Sequence, residues 1–70
     1  MTTDQVNMLK GAVNMLYLYL DGLTLDPLLS YEQRAVYYEP LRRARQIVNW
    51  MAKIDGKPEH GTLAFELVKP

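Results

Sequence analysis

The chain has 70 residues, 49% of them hydrophobic, with eight basic residues against eight acidic ones and no cysteine. That length supports one domain, residues 1–70, near the lower limit for an unstapled core, and the lack of cysteine excludes disulfides and thiolate metal sites. The apolar content is too high for disorder, and zero net charge argues against nucleic acid as the main partner, since phosphate binding usually shows as a basic domain.

Thr2 or Thr3 can cap a first helix, with Asp4 and Gln5 in the first turn, where an acid is favoured. Val6, Leu9, Val13, Leu16 and Leu20 then repeat at alternating three- and four-residue steps, and a second row, Met8, Ala12, Met15 and Tyr19, runs beside them. Together the rows cover roughly half the helix circumference, against the roughly 100° that one neighbour requires. The helix therefore needs two partners. Val6, Leu9, Val13, Leu16 and Leu20 are the residues expected to pack on the second helix and on a second copy in a homodimer. The polar stripe is Asn7, Lys10, Gly11, Asn14 and Asp21, interrupted by Leu18. Gly11 weakens the helix and can admit another backbone.

The helix is expected to stop at Asp21-Gly22. An alternative is a hairpin over residues 17–25, because Tyr17 to Leu25 alternates around that Asp-Gly pair. The unbroken spacing from Val6 favours the helix.

Asp26-Pro27 reads as a cap followed by proline at the first helical position, or as a short turn. Ser30 with Gln33 matches a capping box. Pro40 then interrupts, yet Val36, Tyr37, Leu41, Ala44, Ile47, Val48, Met51 and Ile54 share one face. The expectation is a kinked helix from about residue 31 to 55, or two abutting helices broken near Glu39. Gly56 is placed to end it. After a loop at residues 57–61, Leu63, Phe65 and Leu67 alternate as in a short strand over residues 62–68, which would need a pairing neighbour or would lie as an extended tail. The fold class is mostly α, two to three helices with a C-terminal strand or tail.

Candidate chemistry is sparse. Arg42, Arg45, Asn49 and Lys53 line one face of the second helical region, with Arg43 beside Trp50 and Glu39. This group of six, Arg42, Arg43, Arg45, Asn49, Trp50 and Lys53, is the candidate partner-binding surface. Trp50 suits either an interface or the core, and the five tyrosines suit both as well. A helix-turn-helix reader around Pro40 is a weak alternative, without a glycine at its turn. His60 and Ser30 are too far apart to suggest a triad. His60, Glu59 and Asp55 lack metal-ligand spacing on a helix, and there is no phosphate loop. No catalytic, metal or cofactor site is expected.

No run is long enough to span a bilayer, and the N-terminus lacks the basic start of a secretion signal, so a soluble cytoplasmic protein is expected. A membrane-surface helix would carry lysines beside its apolar face, and the first helix has one. The leading expectation is a non-enzymatic protein-binding module, dimeric, that covers a surface on a larger target. On size and poverty of motifs it fits small phage-type inhibitors of host machinery, anti-CRISPR proteins among them. The alternatives are a DNA-binding regulator using the arginine-bearing helix, and a structural subunit that adds its C-terminal strand to a neighbour's sheet.

Overall fold

Thr2 starts the first helix. Its hydroxyl accepts the Gln5 backbone N–H at 3.1 Å while the Gln5 side chain accepts the Thr2 N–H at 2.9 Å, a reciprocal capping box. The computed structural model describes residues 1–67, and in them α1 (Thr3–Leu25), α2 (Tyr31–Ala35), α3 (Tyr38–Ile54) and a single turn, α4 (Ala64–Leu67), follow one another. The protein is mostly helical, and α1 and α3 supply most of the contacts between elements.

α1 runs past its expected stop. Residues 17–25 are helical rather than a hairpin, and Asp21-Gly22 lies inside the helix. Gly22 keeps a negative φ. Thr24 is buried, and its hydroxyl donates to the Asp21 carbonyl at 2.8 Å, so the buried hydroxyl is paired. The terminator is Pro27. It forces the preceding Asp26 into extended backbone (φ −69°, ψ 115°), where a helix cannot continue. Asp26 then forms a short turn, its carboxylate accepting the Leu28 N–H at 2.9 Å.

A second capping box, Ser30 with Gln33, opens α2. The break between α2 and α3 falls at Val36–Tyr37, one turn before the expected Glu39. Pro40 lacks the N–H that would reach back to Val36, so the bond joining the two helices cannot form. Pro40 itself sits in the first turn of α3, where an N–H has no helical partner in any case. Leu41 donates the first bond of the new helix, to Tyr37 at 2.9 Å. α3 ends in a Schellman motif: Gly56 takes a φ of +69°, Lys57 N–H reaches the Ala52 carbonyl at 2.8 Å, and Gly56 N–H reaches Lys53 at 3.3 Å.

The strand expected over residues 62–68 does not form in the described residues. Leu63 is buried just ahead of α4, and within that turn Phe65 stacks on Tyr38 with centroids 4.1 Å apart while Leu67 is exposed. With no neighbouring strand, extended backbone would leave its polar groups unpaired, whereas the turn closes locally through Glu66 N–H to the Leu63 carbonyl at 3.0 Å. Val68 lies outside the described residues.

The core is small: Tyr17, Leu41, Val48 and Leu63, with Val13, Leu20, Ala44, Met51 and Phe65 against it. Leu41 is fully enclosed. α1 meets this core along Val13, Tyr17, Leu20 and Thr24. That line is rotated from the expected inward face toward the polar stripe, because residues 57–66 fold back over one side of the α1–α3 pair and engage it. The His60 ring lies 4.8 Å from that of Tyr17, and at the end of α3 Asp55 pairs with Lys10 on the same side at 2.9 Å.

Candidate protein-interaction surface

Four of the six residues expected to face a partner divide cleanly by what holds them. Arg45 grips Glu66 through two nitrogens, at 3.0 and 3.1 Å, and reaches the Gly61 carbonyl at 3.3 Å. Arg42 bridges Glu39 at 2.8 Å and Glu66 at 3.4 Å, and its guanidinium lies 5.4 Å from the centre of the Phe65 ring. The Asn49 side chain donates to the His60 carbonyl at 2.9 Å and accepts the His60 N–H at 2.7 Å, as a strand would. These three side chains fasten the C-terminal segment to α3. Arg43 is mostly exposed, its charge met by Glu39 at 3.2 Å. Trp50 and Lys53 are exposed.

Charge here is locally balanced. The Arg45 hydrogen bond holds the Glu66 carboxyl below the usual carboxylate range, with the Leu63 N–H and Arg42 adding to it. Arg43 and Arg42 do the same for Glu39, and Lys10 does it for Asp55. Burial raises the Tyr17 hydroxyl, helped by Asp21 and opposed by Arg45. A phosphate backbone would have to compete with Glu39 and Glu66 for Arg42 and Arg45. Among the described residues, no group of three or more His, Asp or Glu is placed to hold a metal ion, and no helix is long and apolar enough to cross a membrane.

The apolar rows of α1 are disposed otherwise than their spacing alone suggests. Of the candidate self-association residues, Val13 and Leu20 pack against the core and Val6 is half-buried, while Leu9 and Leu16 are exposed. The second row is bare, with Met8 75% and Met15 73% exposed and Tyr19 close behind. On α3, Ile47, Trp50 and Ile54 also face outward. Residues 57–66 cover one side of the α1–α3 pair, and the opposite side is left open. There a mostly apolar groove of about 410 Å³ runs between the N-terminal half of α1 and the end of α3, bounded by Met1, Val6, Leu9, Val13, Trp50, Met51 and Ile54, with Lys10 at its edge.

Sequence reasoning missed this groove because it joins side chains of α1 and α3 that lie 37 to 48 positions apart. The signal was nevertheless present: Ile47, Trp50 and Ile54 follow the same helical phase as the α1 rows, with more apolar surface than one helix pair can bury. No family model, no curated protein and no solved structure matches this chain.

Proposed function

We propose that this chain is a non-enzymatic protein-interaction module that associates with a second copy of itself and covers a surface on a larger protein target. The observation that carries the reading is the open α1–α3 groove, an apolar cleft flanked by Trp50, which is 65% exposed. Contiguous exposed apolar surface marks interaction sites, and tryptophan is among the residue types enriched at the energetic centres of interfaces. Lys10 supplies the charged edge of the groove, and Lys53 and Arg43 stand exposed elsewhere on α3. Blocking a surface on host machinery, as a small phage-type inhibitor does, is one form that such an activity takes.

The test uses a photo-crosslinking amino acid placed in turn at Trp50, Ile54 and Asp26. A partner seated in the groove gives one adduct of the same mass from positions 50 and 54, none from position 26, and loses both when Leu9 is changed to Glu. Equal labelling from all three positions, or none, would sink the groove as the docking site. Retention of the adduct at high salt separates an apolar contact from a phosphate-driven one, which weakens steeply as salt rises.

A further inference from the structure

The exposed side of α1 has a spacing that the core does not use. Gln5, Met8, Ala12, Met15, Tyr19 and Gly22 recur at alternating steps of three and four, the seam of a heptad repeat. In that frame Leu9, Leu16 and Leu23 flank the seam on one side, and Gly11, Leu18 and Leu25 on the other. The positions most remote from the seam are Lys10, Tyr17 and Thr24. Those three are turned into the protein, Tyr17 and Thr24 buried and Lys10 bound to Asp55. The fold thus presents the seam outward.

Between Asp4 and Asp21 the helix holds one charged residue, Lys10, and its charge is already met. A charged or phosphate-bearing partner finds nothing to pair with along the seam. A membrane-surface helix would also need basic residues beside its apolar face. The chain exposes 5394 Å² at a mass of 8.1 kDa. Compact monomers of that mass expose about 4,500 Å². The excess over the whole chain is about 900 Å², the order of the roughly 800 Å² per partner that a standard stable interface buries, and Met8, Met15, Leu18 and Tyr19, each at least 65% exposed, contribute to it.

We propose that two copies of this chain associate through α1 packed antiparallel on α1, with Met8 of each copy against Tyr19 of the other and Ala12 against Met15. This rests on the self-association proposed above and adds its helix, direction and register. The antiparallel direction follows from size matching. It sets the small Ala12 against the long Met15 and Gln5 against Gly22, with Gly11 making room for Leu18 on the flank. A parallel pair would set Ala12 on Ala12 and Tyr19 on Tyr19, a gap in one layer and crowding in another. Met8 on Tyr19 also gives a thioether–aromatic contact, and opposed helix dipoles favour the same direction. The axis relating the copies passes between Val13 and Asn14, leaving the Trp50 groove at the edge of the dimer.

The experiment combines sedimentation with disulfide trapping, since the chain has no cysteine of its own. Met8→Cys and Tyr19→Cys chains are oxidised mildly, separately and mixed. The proposed register links the mixture into dimers and leaves each variant alone unlinked, because only a facing pair brings the Cα atoms within the roughly 7 Å a disulfide spans. Met15→Glu, at an exposed position, should raise the dimer dissociation constant about 100-fold or more with unchanged helix content, since it buries a charge without a partner. Linking of each variant with itself would overturn the antiparallel direction while self-association stands. A dimer that links through Trp50→Cys and not through the mixture would overturn the α1 seam. A wild-type chain that stays monomeric at millimolar concentration would overturn self-association itself and leave the row to a different protein.

Discussion

Arg45 and Glu66 face each other fork to fork, with guanidinium and carboxylate joined at 3.0 and 3.1 Å across 21 positions of sequence. That pair, with Asn49 against the His60 backbone, makes α3 the spine to which the C-terminal segment is tied, and so decides which side of the α1–α3 pair is covered and which is open. It also makes the molecule acid-sensitive in a defined direction. Glu66, Glu39 and Asp55 all have carboxyl groups held below their ordinary range by arginine or lysine partners. Their stabilising effect is complete above the unfolded carboxylate pKa of about 4.3 and is lost as pH falls through the lower folded values.

Melting temperature should therefore be flat from pH 7 to about pH 5 and fall below about pH 4. Glu66→Gln should flatten part of that fall and lower stability at pH 7. A melting profile of Glu66→Gln with the wild-type acid slope would show that the pair contributes nothing.

Asn49→Ala removes two hydrogen bonds that hold His60. At about 0.5–1.5 kcal/mol each, the loss should be about 1–3 kcal/mol. Amide exchange should locate it, with the His60 N–H losing protection while the centre of α3 keeps its own. Uniform loss along the chain would mean that the C-terminal segment and the helices unfold as one.

Among the described residues, Leu41→Ala hollows out the one fully buried side chain, in a core of four buried residues. Large-to-small substitutions of this kind cost about 2–5 kcal/mol. For a domain of this size that is most of the stability available. Far-UV dichroism at 37 °C should show a largely unfolded chain.

Gly11→Ala separates the chain's own stability from its association. No atom lies within 4 Å of where a Cβ would sit, and Gly11 is helical. The substitution should stabilise the isolated chain by about 0.5–1 kcal/mol. In the antiparallel dimer the same Cβ meets Leu18 of the other copy. Melting at low concentration should rise while the dimer dissociation constant increases. A variant that strengthens both would place Gly11 away from any interface.

Much of this was written locally. The Thr2–Gln5 and Ser30–Gln33 capping boxes, the glycine at the end of α3, the helix through residue 20 and a discontinuity near Pro40 are consequences of hydrogen bonding within a few residues, and the sequence displays them directly. The end of α1 was misplaced because Asp21-Gly22 permits a turn without requiring one, whereas Pro27 forbids further helix. The alternation of Leu63, Phe65 and Leu67 failed for a related reason. Two-residue spacing predicts a strand only where another strand can pair with it, and the described residues hold none.

What the residues determined alone was that α1 carries more apolar surface than one neighbour can cover, since helix geometry fixes which side chains share a face. Which part of that surface is buried was decided only in three dimensions. Lys10 finding Asp55, Tyr17 finding His60 and Arg45 finding Glu66 are encounters between positions 21 to 45 residues apart. The first two turn the Lys10–Tyr17 side of α1 toward the end of α3 and the C-terminal segment, the third ties that segment to α3, and the second apolar row of α1 is left facing out. Periodicity says how wide an apolar face is; long-range pairing chooses the direction in which it points.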